Sequence, residues 1–222
     1  MNKFFNLWII IITVVSLPFT LAVGLNEDFH IFGYKVQGIE FEYKFITFSI
    51  IASLLFLLGA LKATKKWMGL NVTRQKHRFI YTAFISDERK LRVLLYNSIE
   101  IIFLAIFGGF FFYISDDTLY IGLIFFILTG EHFINTILGI HKKYYRIGIT
   151  KKAIIRVDRE IDLIYFKGLQ KITKHQQTLY FDYPDNLVLH FPLNVIPDDQ
   201  HKTFYATLKE QVDPNKVYYS GF

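Results

Sequence analysis

"TLYIGLIFFILTGEHFINTILGIHKKYYRIGIT", residues 118–150, changes character twice within 33 residues. From Thr118 to Ile140 it reads as hydrocarbon, over "HKKYYR" it turns basic, and from Tyr144 apolar and polar residues begin to alternate. An unbroken apolar run of that length matches a membrane-spanning helix, whereas alternation with period two marks a half-buried strand. The chain therefore passes at this point from a membrane into a β domain. Composition agrees: 52% of the 222 residues are hydrophobic and the mean hydropathy is +0.30. Four long apolar runs carry the excess over an ordinary soluble chain.

Those runs lie at about 5–25, 45–62, 93–115 and 118–140. At about 1.5 Å per residue each can cross a hydrocarbon layer of roughly 30 Å, the second only just. Lipid leaves backbone groups no partner outside the segment, so helices are expected. The first run competes with a signal-peptide reading, with Lys3 as its charge and "TLAVG" as a cleavage region. Its apolar stretch is long for that role, and an uncleaved span is the expectation, with Pro18 tolerated inside it. Loop 62–92 carries nine Lys/Arg against two acids, loop 26–44 two Lys against four acids, and the third loop is only "SDD". The positive-inside rule then puts loop 62–92 and both termini in the cytoplasm, in a multi-pass cytoplasmic (inner) membrane protein. Most of the net charge of +6 is topological, and no nucleic-acid partner is expected.

Smaller signals fit this frame. Trp67, Tyr113 and Tyr120 stand where interfacial aromatics belong, and Ser86 before Asp87 and Glu88 reads as a helix N-cap. "GIEFEYK" (38–44) alternates like one strand of an outer hairpin. Gly108, Gly109 and Gly122 are placed to let the third and fourth helices approach closely.

After the fourth run come short strand candidates: "YYRIGIT", "AIIRV", "IDLIYF", "QTLYFDY" and "LVLHF". "YPDN" (183–186) supplies a hairpin turn, with Pro184 at its second position. In "NLVLHF", Leu187, Leu189 and Phe191 are expected to point inward, Val188 and His190 outward. "PDDQHKTFYATLKEQV" reads as a helix with Asp198 as its cap and Phe204, Leu208 and Val212 as its apolar stripe.

Strands opening with "RIGITKKAIIR", a middle "LIYFKGLQKI", a late "LHFPLNVIP" and a closing helix resemble bacterial pleckstrin-homology-like (PH-like) domains fused to membrane spans. The resemblance covers roughly residues 142–213. It implies a seven-stranded bent sheet capped by the C-terminal helix, so "KGLQKITK" must add a strand. It also implies a scaffold for protein or lipid contact with no assigned activity. The expected fold class is thus membrane α-helical plus α+β: a four-span domain over 1–140 and a cytoplasmic PH-like β-roll over 141–222. In such domains a basic first turn can meet acidic headgroups; here Lys151 and Lys152 form it, with Lys142, Lys143 and Arg146 just before. Each cation near an anionic leaflet contributes about 1 kcal/mol, although positive-inside charge alone also accounts for them.

Glu131 and His132 break the fourth run. Counted from the "SDD" turn, they fall in one layer with Glu100 of the third run, with Asn97 and Asn135 in the next layer toward the cytoplasm. An ionised residue in mid-membrane costs at least about 2.5–3.5 kcal/mol, so such a layer needs a reason. Either it lines a cavity for a proton, a cation or a small substrate, or it pins the two helices in register. No metal-ligand spacing, nucleophile elbow or phosphate loop accompanies it, and with no cysteine in the chain thiolate chemistry is excluded. Neither an enzyme nor a cofactor is expected. The leading function is a membrane-anchored interaction module whose tail binds a protein partner or itself at the lipid surface. A small ion-coupled transporter and an anionic-lipid reader are the alternatives.

Overall fold

Residues 2–24, 30–31, 34–35, 39–213 and 217–221 are described by the computed structural model. Four helices are long and apolar enough to cross a membrane. They are α1 (Asn2–Val23), α2 (Lys44–Arg74), α3 (Asp87–Ile114) and α4 (Leu119–His141). Two of them exceed their apolar runs: α2 is 31 residues long and α3 is 28. Ser86 caps α3, accepting from the Arg89 amide at 3.2 Å while its hydroxyl donates to the Asn194 carbonyl. Between α1 and α2, β1 (His30–Ile31) pairs with β2 (Tyr34–Lys35), not with the expected 38–44 strand. Ile39–Tyr43 has no strand structure; the Ile39 amide donates to the Ala22 carbonyl and Phe41 packs on Phe19, so this segment closes on α1 instead. Gly38 lies outside the described residues.

Contacts divide the chain into two units, residues 1–65 with 97–135 and residues 66–96 with 136–222. The first unit is helical. Phe48, Ala52, Leu55, Phe111, Ile121 and Phe125 form its core, with the Phe111 and Phe125 rings stacked 5.8 Å apart. Gly122 makes the close approach of α3 and α4, since a Cβ there would lie 2.8 Å from the Phe112 amide nitrogen. Gly108 meets Phe126 in the same seam, but Gly109 faces open space and takes no part in it.

The second unit holds two four-stranded sheets. One has the order β3 (Tyr81–Phe84), β4 (Arg146–Ile149), β5 (Ala153–Val157), β6 (Ile161–Tyr165), antiparallel throughout. The other has β10 (Tyr218–Ser220), β7 (Lys171–His175), β8 (Thr178–Asp182), β9 (Val188–Pro192), with β10 parallel to β7. Helix α5 (His201–Gln211) follows a short turn over Asp198–Gln200. Asp198 does not cap α5: the helix begins three residues later, after Gln200, which makes no side-chain cap bond. The stripe of α5 is as expected, Phe204, Leu208 and Val212 being buried in a core with Ile147, Ile172, Leu179 and Phe191. On β9 the alternation fades toward the turn, with Phe191 buried, Leu189 half-buried and Leu187 exposed.

This unit departs from the expected 141–222 domain: among the described residues it has eight strands in two sheets, not one seven-stranded sheet, and residues 66–96 belong to it. Its strand β3 comes from the loop between α2 and α3, read from sequence as a basic connection. Tyr81 pairs with Ile149 and Phe84 with Arg146, and Tyr81 and Ala83 enter the core. The α3–α4 hairpin is therefore inserted between two neighbouring strands of one sheet.

Candidate functional site

In the helical unit a polar layer forms where the hairpin register sets it, with one member absent from the sequence reading. Lys62 of α2 pairs with one oxygen of Glu100, and the other oxygen lies 3.6 Å from His132 Nε2. His132 is buried, as are Asn97 and Asn135, one helical turn from Glu100 and His132 respectively. Glu131 is half-buried beside them. A cation from a third helix thus offsets the Glu100 charge within the layer. Among the described residues no three His, Cys, Asp or Glu come together as metal ligands do.

Lys62 had been counted with the loop charges. Its helical neighbours show why it belongs to the layer. Phe48, Ala52, Leu55, Gly59, Lys62, Lys66, Gly69 and Thr73 are all buried and follow one another at alternating steps of four and three. That spacing is the packed stripe of a helix, and it runs on past the last apolar residue. At the other end of α2, Lys44 pairs with Asp117 of the α3–α4 turn at 2.8 Å. Lys62 lies 18 residues down the helix from Lys44, about 27 Å.

The basic residues named from sequence divide in the second unit. Lys142, Lys143, Lys151 and Lys152 are exposed, the last two in the β4–β5 turn. Arg146 is 7% exposed; its Nε donates to the Lys143 carbonyl at 2.7 Å and its guanidinium lies 4.1 Å from the Phe84 ring centre. Burial pulls its pKa below the usual arginine value. Another ionic cluster is internal: the Asp158 side chain is fully buried and accepts from Arg89 Nε at 2.8 Å, while Arg156 pairs with Asp162. It ties the β5–β6 turn to the first turn of α3.

No protein-family model, no curated protein and no solved structure matches the chain. Its surface must speak for itself.

The feature that does so lies at one end of the strands. Helices α3 and α4 join the sheet beside Phe84 and Arg146, whereas β3 starts, β4 ends and β6 ends at the opposite rim. There the Phe166 amide donates to the Lys152 carbonyl at 2.8 Å, and the Tyr183 hydroxyl donates to the Tyr165 carbonyl at 2.5 Å. The Tyr183 amide in turn donates to the Leu187 carbonyl. These bonds join the β4–β5 turn, the end of β6 and the β8–β9 turn into one surface. Tyr165 is 55% exposed on it, Leu187 53% and Val188 40%. Both β6 and β9 are edge strands of their sheets, the kind of strand to which another chain can pair.

Proposed function

We propose that this chain is a membrane-anchored interaction module, its four spans holding a cytoplasmic PH-like β unit that binds a protein partner or a second copy. The observation that carries the reading is the rim: exposed Tyr165, Leu187 and Val188 on two sheet edges. Large apolar side chains grouped at an unpaired edge mark interaction surfaces, since strand addition there supplies both backbone bonds and side-chain contacts. The PH-like reading rests on layout alone: two four-stranded sheets, with α5 between β9 and β10 in chain order.

The polar layer supports the clamp reading over transport. Glu100 faces Lys62 and His132 on its two oxygens, so the carboxylate has partners without an imported ion. In a hydrocarbon layer of roughly 30 Å, a position about 27 Å from the Lys44–Asp117 end lies near the far boundary, where a lysine can extend toward water. That removes most of the insertion cost that favoured a functional cavity.

The test is co-purification from native membranes with the full chain, wild type beside a Tyr165→Asp, Leu187→Asp variant. Both positions are exposed, so folding should be retained. Loss of a stoichiometric protein, or of self-association, with the variant is the expected result. The same company for both chains counts against the module.

A further inference from the structure

The strand the sequence did not reveal brings charge to this rim. Pairing of β3 with β4, extended by the Ile80 amide donating to the Ile149 carbonyl at 2.8 Å, sets the segment just before β3 beside the β4–β5 turn. That segment forms a short helical turn, Lys76–Arg78, whose three residues are all exposed. Lys151, Lys152 and Lys167 are exposed as well. None of the stretches 62–86, 141–157 and 163–181 contains an acidic residue. The carboxylates nearest Lys152 and Lys167 in sequence, Asp158 and Asp162, pair with Arg89 and Arg156, and Asp182 and Asp185 stand on the other flank, around the β8–β9 turn. A basic arc therefore borders Tyr165 and Ile80, the latter 47% exposed.

We propose that this rim takes an acidic protein segment carrying aromatic or aliphatic side chains. The inference rests on the interaction-module reading and names the chemistry of the partner. Its apolar residues would meet Tyr165 and Leu187 while its carboxylates meet Arg78, Lys151 and Lys152. Charge complementarity of this kind selects partners and speeds encounter. A lipid headgroup shares the anionic chemistry, but the basic arc borders exposed Tyr165 and Leu187 beside the edge strands β6 and β9, and a segment carrying both carboxylates and apolar side chains meets both at once. A protein segment is the occupant this combination favours.

The experiment uses the full chain in nanodiscs of zwitterionic lipid and a fluorescent peptide rich in Glu with two Phe, beside its Gln counterpart. The Glu peptide should bind, weakening about ten-fold or more between about 50 and 300 mM salt. Lys151→Glu with Lys152→Glu should abolish binding, and Lys202→Glu, on exposed α5, should not. Equal binding of the Gln peptide overturns the proposal, as does binding of anionic phosphatidylglycerol vesicles without binding of the peptide. Should peptide binding fail while Tyr165→Asp still strips a native partner, the module stands and only its acidic preference falls. Should neither variant matter to native association, the module itself falls.

Discussion

Lys62 carries the clearest residue-scale consequence. It is one of two charges, each mostly shielded, that neutralise one another, so removing either costs the other its ion pair. Breaking a buried pair costs about 3–5 kcal/mol, whereas replacing both members with apolar or neutral groups can be near neutral. Lys62→Met and Glu100→Gln should each lower the melting temperature in detergent, and the double variant should recover much of the loss. Additive losses would mean that the two do not act as a pair. Tyr81 gives a second prediction. Burial, helped by the nearby Asp199 charge, pushes its hydroxyl up to about 12. A raised value favours the folded state below the unfolded pKa near 10, and that stability is lost as pH climbs through 12. Tyrosine-selective NMR should show the Tyr81 ring titrating well above 10; titration near 10 would refute it. Glu100, His132 and the Asn pair were legible because a tight turn fixes depth by counting. Lys62 was obscured because a charge next to an apolar run resembles a loop charge, although the stripe from Phe48 passes through it.

Among elements, the α3–α4 hairpin depends on one small residue. A side chain at Gly122 meets backbone, which cannot yield as a flexible side chain can. Gly122→Leu should separate the helices and lower the melting temperature, while Gly109→Ala, facing open space, should change it little. The reverse ranking would contradict the seam. Five strands and the hairpin turn were legible from alternation and Pro184, and the stripe of α5 from its spacing. Strand β3 was not: four residues, Tyr81–Phe84, are too short for a periodic signal, and the partner that makes them a strand lies more than sixty residues away. The α5 cap was misjudged because Asp198 enters a three-residue turn before the helix begins.

For the whole molecule, the inserted hairpin means that the β unit cannot be cut off at the end of α4. Ending the chain at Ile140 leaves Tyr81 and Ala83 without the sheet that buries them. Such a truncation should aggregate rather than remain as a clean four-span fragment, and a monodisperse product on size exclusion would contradict the shared sheet. Point variants on the rim are the sounder probe of function, and the chain's lack of cysteine makes single-site labelling simple. The most direct measurement is photo-crosslinking in native membranes, with a benzophenone side chain placed at Tyr165 and, as control, at Lys202. A discrete adduct at 165, absent at 202 and carrying a protein partner or a second copy, is the predicted result. No adduct at 165, or equal adducts at both positions, would show that the rim is not where this protein meets others.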